Sequence, residues 1–224
     1  MPTPARTSVE QIVRAGRQIL EAEGVDGLTM QRIATAVGVR APSLYKRIRN
    51  RNDLLRLVAN DAFRELTDML DAAATTGDPR RDLVALASAI RAFAHANPAA
   101  YGLLFALLAD DARADTDWNI RASEAVLRAA RLLAGDDALE AARTVTAWAT
   151  GFIAMELAGA FRLGGDVDRA FEYGIDRVTR AIATGVNSGA AAPPPRSGSA
   201  AGSRRVSAGT STSGRRRTTG GRRG

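Results

Sequence analysis

The sequence has no cysteine, a single histidine and few aromatic residues, and these shortages exclude several classes of protein. Without cysteine the chain can form neither a disulfide nor a thiolate-ligated metal site. Because His95 is the only histidine, a histidine-ligated zinc ion and a Ser-His-Asp triad are not expected. No phosphate loop or dinucleotide fingerprint is evident either. We therefore expect no catalytic residue, no metal and no cofactor.

Long apolar runs are also missing. No stretch approaches the roughly 20 apolar residues that a membrane span needs. The N-terminal segment MPTPARTSVEQ has no apolar centre, which a signal peptide would require. From this composition we expect no membrane segment and a cytoplasmic location.

Charge is distributed unevenly along the chain. Residues 1–60 hold ten basic and five acidic side chains, whereas residues 61–188 hold thirteen basic and nineteen acidic ones. The final segment, 189–224, carries eight Arg and no acidic residue. A basic N-terminal region on an acidic body is expected when only one end of a protein binds a polyanion.

Helical periodicity predicts an all-α fold of about nine helices, without a strand pattern. Ser8 and Gln11 match a capping box at the start of the first helix, and Gly24 is predicted to end it. Asn50 is predicted to cap a long fourth helix. Turn signals then delimit the remaining helices, near 80–95, 98–109, 117–134, 136–163 and 166–187.

Composition divides the chain into three segments. Residues 1–50 are predicted to form a DNA-binding domain of three helices, and residues 51–188 a larger helical domain. Residues 189–224 are mostly Gly, Ser, Ala, Thr, Pro and Arg, with almost no large apolar side chain. Such a segment buries too little apolar surface to offset its ordering entropy, so we expect a disordered Arg-rich tail.

Two short helices joined by a tight turn form the most informative motif. Thr29 is predicted to cap the second helix, and Gly38 to take the left-handed position that ends it. The third helix is predicted over residues 41–47, with Leu44 and Ile48 inward and a small, basic outer face. This arrangement is typical of a helix-turn-helix, whose second helix enters the major groove. A run of basic residues is more often solvated surface, but here the helices, the turn and the regional charge agree.

Residues 8–55 resemble the DNA-binding domain of the TetR family of transcriptional regulators. The ordered segments GLTMQRIATAVGV, APSLYKRI and NRNDLL carry the resemblance. Many members have His-Phe where this chain has Arg47-Ile48, so the operator sequence is not carried over. The DNA-contacting positions expected from the resemblance and from the basic outer face are Thr29, Arg32, Arg40, Ala41, Pro42, Ser43, Tyr45, Lys46, Arg47 and Arg51.

Different chemistry is expected of different members of this set. Arg40 is the predicted base reader, because a bidentate Arg–guanine pair is the commonest specific contact. Lys46 is predicted to neutralise a phosphate, and the Tyr45 hydroxyl to donate a hydrogen bond to another. Arg51 matches the position where the family has a phosphate-binding Lys or Arg.

The body resembles the C-terminal domain of a TetR subgroup in which His-Gly precedes F-x-x-x-E-x-x-G-x-F. The segment TGFIAMELAGAF has Thr150 in place of that His, and FAHANPAAYGLLF, residues 93–105, matches the subgroup's middle segment. Glu156 within this apolar helix is expected to pair across an interface, to bind a ligand or to reach solvent. The helices near 136–163 and 166–187 are predicted to form a homodimer interface, because both carry apolar stripes suited to a four-helix contact.

The body is also predicted to enclose a chamber for a small apolar effector of unknown identity. Aromatic and Met side chains suit an adaptable apolar pocket. Core helices need such residues in any case, so each also has an ordinary packing interpretation. The predicted lining residues are Phe93, Tyr101, Leu104, Phe105, Trp118, Trp148, Phe152 and Met155.

These observations predict a homodimeric, ligand-released repressor that binds a near-palindromic double-stranded DNA operator. Two alternatives stay open. One is an all-α enzyme or small-molecule carrier with an incidental basic end. The other is a nonspecific DNA-coating protein driven by the Arg-rich tail, which otherwise either adds phosphate attraction or contributes nothing.

Overall fold

The computed structural model describes residues 7–188, and the side chains up to residue 184. Within this range the chain forms nine α-helices and two 3-10 turns, without a strand, which confirms the predicted all-α fold. The predicted tail, 189–224, lies outside the described residues. The helices are α1 (Val9–Gly27), α2 (Met30–Ala36), α3 (Ala41–Leu44), α4 (Arg51–Ala73), α5 (Pro79–Ala96), α6 (Pro98–Phe105), α7 (Thr116–Ala134), α8 (Ala138–Leu157) and α9 (Val167–Ser188).

Local capping chemistry sets the start of the N-terminal helices. Ser8 and Gln11 form the predicted capping box on α1, with each side chain accepting the other's backbone N–H. The Asn50 side chain accepts the N–H of Asp53 at 2.8 Å, so α4 also starts as predicted. Both caps satisfy N–H groups that have no partner inside the helix.

Three predicted helix ends are wrong, and one of them is the end of the helix predicted near 98–109, which stops at Phe105. The third helix ends at Leu44 and continues only as a turn. The helix predicted over 136–163 stops at Leu157, because Gly159 at φ 62° directs the chain away from the helix. The predicted stop at Gly24, by contrast, does break the helical geometry of α1 with a left-handed backbone (φ 72°), and one further turn beyond this kink reaches Gly27.

α1 packs on α4, α2 packs on α1, and α3 packs on α2. Gly16 of α1 permits the closest approach, since a Cβ there would lie 2.7 Å from Cγ2 of Val58. Around this crossing, one apolar core is buried at the expected inward positions of α1, α2 and α3. Its fully buried members include Ile12, Leu20, Leu28, Ile33, Leu44, Ile48, Leu54 and Val58.

Helices α4 to α8 surround a second part of the same core, and α9 packs on α8. Gly174 of α9 lies directly against the Trp148 ring, where a Cβ would meet Cζ2 at 2.1 Å. Phe171 is buried between the two helices and contacts both Trp148 and Phe152. All of these helices belong to one unit of the chain, Met1–Ala191; the second unit, Ala192–Gly224, lies outside the described residues.

Candidate DNA-binding surface and ligand cavity

The α2–α3 pair is held by main-chain and side-chain bonds that its sequence encodes locally. The Thr29 hydroxyl accepts the Arg32 N–H at 3.3 Å and caps α2, as predicted. Gly38 adopts φ 72°, so the chain reverses and the Val39 N–H donates to Ala34 O at 2.9 Å. α3 then presents the short side chains of Ala41, Pro42 and Ser43 beside the turn.

One face of α3 and of the turn after it is open to solvent. Leu44 and Ile48 are buried beneath it, whereas Tyr45 exposes 56% of its surface and Ala41 is half-buried. We call the exposed set the reading face: Arg40, Pro42, Ser43, Tyr45, Lys46 and Arg47. No ion pair within residues 7–184 involves its three cations, so their charge is available to a partner.

Thr29 and Arg32 differ from the reading face because both already have intramolecular partners. The Thr29 hydroxyl accepts the capping hydrogen bond, and the Arg32 guanidinium forms an ion pair with Glu23 of α1. About half of the Arg32 side chain remains exposed beside the reading face. A DNA contact by Arg32 therefore requires exchange of this ion pair.

Arg51 has a structural role that the sequence does not signal. Its Nε donates to Leu28 O at 2.7 Å and its Nη2 to Val25 O at 2.6 Å. The guanidinium thus joins the start of α4 to the connection between α1 and α2. In the free protein Arg51 points at main-chain carbonyls and is not an open phosphate ligand.

A network beside the reading face was not predicted. Asp53, only 6% exposed, accepts the Arg49 N–H at 2.9 Å and a hydrogen bond from Arg56 at 2.8 Å. Burial alone would raise the Asp53 pKa, but these donors outweigh it and hold the pKa at about 2. Arg56 continues to Asp115, before α7. The sequence signal was Asp53 at the third position of α4, but its partner Asp115 is distant in sequence.

The body contains a cavity of about 550 Å³ between α4, α5, α6, α7 and α8. We call it the body cavity. Its lining is mainly aliphatic and aromatic, with one Arg, one Asn, one Ser and two Thr. The lining residues are Phe63, Leu66, Leu70, Ile90, Leu104, Phe105, Asn119, Ala122, Ser123, Val126, Leu127, Leu139, Ala142, Arg143, Thr146, Ala147 and Thr150.

Only two of the eight predicted chamber residues, Leu104 and Phe105 of α6, line the body cavity. They also line an adjoining depression of about 700 Å³ beside the α6–α7 connection. Thr150, which replaces the subgroup's His, lies on the body cavity wall, where its hydroxyl donates to Thr146 O at 2.8 Å. The helical periodicity of apolar residues does not distinguish side chains that line the cavity from side chains that pack in the core.

The other six predicted chamber residues lie elsewhere. Phe93 and Tyr101 are core residues; the Tyr101 hydroxyl is buried without a hydrogen-bond partner among the described residues, and burial raises its pKa to about 12. Trp118 lines a polar cleft between α1 and α4. Trp148 and Phe152 pack against α9, and Met155 is half exposed. An apolar stripe on a helix can face either of two neighbouring helices. The stripe of α8 that carries Trp148 and Phe152 faces α9.

α6 connects the body cavity to the DNA-binding end of the chain. While Leu104 and Phe105 line the cavity, the first turn of α6 is held by α1. The Glu21 carboxylate accepts the N–H groups of Ala99 and Ala100, at 3.0 and 2.8 Å. One turn earlier on α1, the largely buried Arg17 donates to the side chains of Asn97 and Glu65.

Glu156 pairs within its own chain. Its carboxylate accepts two hydrogen bonds from Arg91 of α5 and lies 3.1 Å from His95 Nε2. The Arg91 bonds are the largest cause of a lowered Glu156 pKa. Arg91 also reaches Asp168 at 2.6 Å, so this group joins α5, α8 and α9.

The same residues give no sign of a membrane span or a metal centre. None of the helices within residues 7–188 combines the length and hydropathy that a bilayer requires. In this part of the chain, His, Cys, Asp and Glu side chains form no group able to hold a metal ion.

Two family models match the two functional regions. Residues 12–58 match the bacterial regulatory proteins of the tetR family, and residues 83–178 match the tetracyclin repressor-like C-terminal domain. The chain belongs to the TetR family. The placement of its body in the His-Gly subgroup stays a prediction.

Curated relatives of this TetR-family protein match less than half of its length. HTH-type transcriptional regulator Rv1816 of Mycobacterium tuberculosis is 36% identical over 105 residues, which are 45% of this chain and 45% of that protein. Tetracycline repressor protein class D of Escherichia coli is 34% identical over 55 residues, which are 25% of each chain. The chain spans about half the length, or less, of the curated relatives it matches.

Solved structures match over most of the TetR-family chain. A protein of unknown function from Rhodococcus sp. RHA1 has a TM-score of 0.68 and 25% identity, covering 81% of this chain and 99% of that one. BioQ, solved with its double-stranded DNA operator, has a TM-score of 0.59 and 26% identity, covering 80% and 99%. The arrangement of all nine helices is therefore that of a known regulator fold.

Proposed function

We propose that this TetR-family protein is a sequence-specific DNA-binding transcriptional regulator, acting in the cytoplasm as a ligand-released repressor. Residues 1–50 form the DNA-binding head and residues 51–188 the domain for ligand binding and dimerisation. The observation that carries the proposal is the reading face, which combines small side chains with cations that form no ion pair among the described residues, on α3 and the turn after it. BioQ, a structural relative, was solved on operator DNA.

The reading face supports a division between base reading and phosphate binding. Ala41, Pro42 and Ser43 are short enough to let α3 enter a major groove roughly 12 Å wide. Arg40, at the N-terminus of α3, is the candidate base reader. Lys46 and Tyr45 are candidate phosphate ligands.

The remaining predicted contacts have narrower roles in this proposal. Arg47 adds a phosphate contact at the edge of the reading face. Thr29 and Arg32 contact the DNA backbone beside α2 once the ion pair between Arg32 and Glu23 has opened. Arg51 acts chiefly as a positioning residue, since it fixes the α1–α2 connection.

Exposed apolar residues support a homodimer through α8, α9 and the segment that connects them. Large apolar side chains grouped on one surface are the usual sign of a protein interface. A two-fold pair would present two reading faces, and operator half-sites about 34–36 Å apart would suit successive major grooves. The exposed residues are Met155, Leu157, Phe161, Leu163 and Tyr173.

The body cavity supports ligand control of DNA binding. Its volume of about 550 Å³ falls within the usual range for small-molecule sites. α6 contacts the cavity at one end and α1 at the other, so a ligand that moves α6 also acts on the DNA-binding head. Such a ligand releases DNA only to the extent that it binds the off-DNA conformation more tightly.

Selection from a random double-stranded DNA pool, using the full chain, tests this function. A dimeric specific regulator enriches an inverted repeat. Binding without enrichment that fades with rising salt would instead favour the nonspecific DNA-coating protein. No DNA binding at any salt concentration would favour the alternative of an enzyme or carrier.

A further inference from the structure

We propose that the body cavity selects an amphipathic anion: a molecule with an apolar body and one carboxylate or comparable acidic head group, held at Arg143. This inference rests on the proposed ligand-responsive function and names the chemistry of its effector. It differs from the predicted small apolar effector in its acidic head group, because the cavity wall carries a cation that the predicted lining did not include.

The charge on the cavity wall has one sign. Arg143, an exposed side chain of α8, is the single charged residue among the described lining residues, and it forms no ion pair with Glu140, which lies three residues earlier on the same helix. No ion pair within residues 7–184 involves Arg143, whereas Arg91 and Arg128, which also lie on helices of the body, pair with Glu156 and Asp71. An anionic head group would supply the missing partner, while a cationic ligand would be repelled.

A second polar side chain on α8 lies close enough to Arg143 to contact the same head group. Thr146 lies one turn away on the same helix face and also lines the cavity. The hydroxyls of Ser123 and Thr150 already donate to main-chain carbonyls, at 2.9 and 2.8 Å. Arg143, Thr146 and the side-chain amide of Asn119 are therefore the polar groups of the wall that can face a carboxylate.

The remainder of the wall favours an apolar body. It is made largely of leucine, isoleucine, valine, phenylalanine and alanine side chains from all five helices. A highly polar molecule would lose hydration there without regaining hydrogen bonds. Phe105, with 54% of its surface exposed, stands where the body cavity meets the adjoining depression, so an extended apolar chain can continue toward α6.

The test compares three probes of equal chain length: decanoate, decanol and decyltrimethylammonium. Their binding to the full chain is measured by calorimetry, below the micelle-forming concentration of each. Decanoate is expected to bind most tightly. Arg143→Gln is expected to weaken the binding of decanoate about tenfold, since a hydrogen bond to a charged group contributes roughly that much to affinity. The affinity for decanol should not change. Arg143→Lys, which keeps the charge, should retain most of the preference.

A matched control and the opposite outcomes make the test decisive. Arg131→Gln removes an exposed charge from α7 outside the cavity and should leave all three affinities unchanged. Equal binding of decanoate and decanol, both insensitive to Arg143→Gln, would overturn the anion preference and leave the cavity as a ligand site. Tighter binding of the cationic probe would also overturn it. If no probe binds while the chain still selects an inverted repeat, the inference fails and the proposed DNA binding stands.

Discussion

Lys46 and Arg51 are both cations near the reading face, but they serve different purposes in the free protein. Lys46 is exposed and forms no ion pair among the described residues, whereas Arg51 donates to Leu28 O and Val25 O. Lys46→Ala should therefore leave stability unchanged. It should weaken binding to all DNA sequences by a similar factor. It should also reduce the slope of log K against log salt concentration by about one unit per protomer. Titrations of operator and unrelated DNA at several salt concentrations measure this.

Arg51→Ala provides the contrast. Two main-chain carbonyls would lose their donors, so the free energy of unfolding should fall by about 1–2 kcal/mol, measured by urea denaturation. Arg131→Ala, on an exposed part of α7, should change neither the salt dependence of DNA binding nor the free energy of unfolding. An unchanged salt slope in Lys46→Ala would exclude it as a phosphate ligand. An unchanged stability in Arg51→Ala would show that its carbonyl bonds are not needed.

Asp53 makes stability depend on pH. Its pKa of about 2 lies below the ordinary 3.8 because Arg49 and Arg56 donate to the carboxylate despite its burial. A carboxyl whose pKa is lowered by folding stabilises the protein above its unfolded pKa, and this contribution disappears as the pH falls toward the folded pKa. Asp53→Asn should therefore cost about 2 kcal/mol at neutral pH. The difference from wild type should shrink between about pH 5 and pH 2.

Urea denaturation of both proteins across that pH range tests the prediction. Asp68→Asn is a suitable control, since Asp68 is exposed on the same helix and should change stability by less than about 0.5 kcal/mol at any pH. If the difference in the free energy of unfolding between wild type and Asp53→Asn stayed constant with pH, Asp53 would not be the ionised, hydrogen-bonded carboxylate described above.

At the scale of single residues, sequence predicted the contacts that depend on nearby chain. The caps by Ser8, Thr29 and Asn50 and the left-handed Gly38 all follow from local hydrogen-bond and backbone chemistry. The carbonyl partners of Arg51 could not be predicted, because a main-chain carbonyl has no residue-type signal.

Among the helices, α6 is short and lies between the body cavity and α1. It spans only Pro98–Phe105 and has no side-chain cap of its own. Glu21 of α1 supplies that cap from outside, accepting two N–H groups of the first turn. A negative charge at this end also interacts favourably with the helix dipole. In the proposed ligand response, the hydrogen bonds between Glu21 and α6 would transmit movement of the cavity wall to the DNA-binding head.

Glu21→Ala should loosen α6 and weaken its coupling to the head. Loss of the cap should cost about 1–2 kcal/mol and speed hydrogen exchange of the Ala99 and Ala100 amides. With decanoate as probe, the fold-change in operator affinity on ligand addition should also decrease. Glu21→Gln keeps one acceptor oxygen and should show a smaller effect. Unaltered exchange at these amides in Glu21→Ala would show that Glu21 does not hold α6.

Element order could be predicted from sequence, but the contacts between elements could not. Apolar periodicity located all nine helices, and the caps fixed the starts of α1, α2 and α4. The end of α8 was missed because alanine and phenylalanine continue the apolar pattern past Gly159, where the backbone turns. The body cavity was missed for a related reason. Trp148 and Phe152 lie on an apolar stripe, and only tertiary packing decides that it faces α9.

For the molecule as a whole, charge and apolar surface lie in different regions. The unpaired cations of the reading face lie on α3 and its turn, while exposed apolar side chains cluster on α8, α9 and their connection. Sequence predicted this division from the charge of residues 1–60 and the apolar character of α8. If the chain forms the proposed homodimer, DNA binding and dimerisation should therefore be separable by mutation.

Ala154→Arg should separate them. Ala154 is exposed on α8 between Gly151 and Met155, so a long charged side chain there should not disturb the core of one protomer but should block close approach of a second. We expect sedimentation to show a monomer and circular dichroism to show unchanged helix content. Operator affinity should fall at least tenfold, because the second reading face is no longer held beside the first. Leu132→Arg, at another exposed apolar position on α7, should remain a dimer with normal affinity. If Ala154→Arg stayed dimeric, the interface would lie elsewhere than α8 and α9.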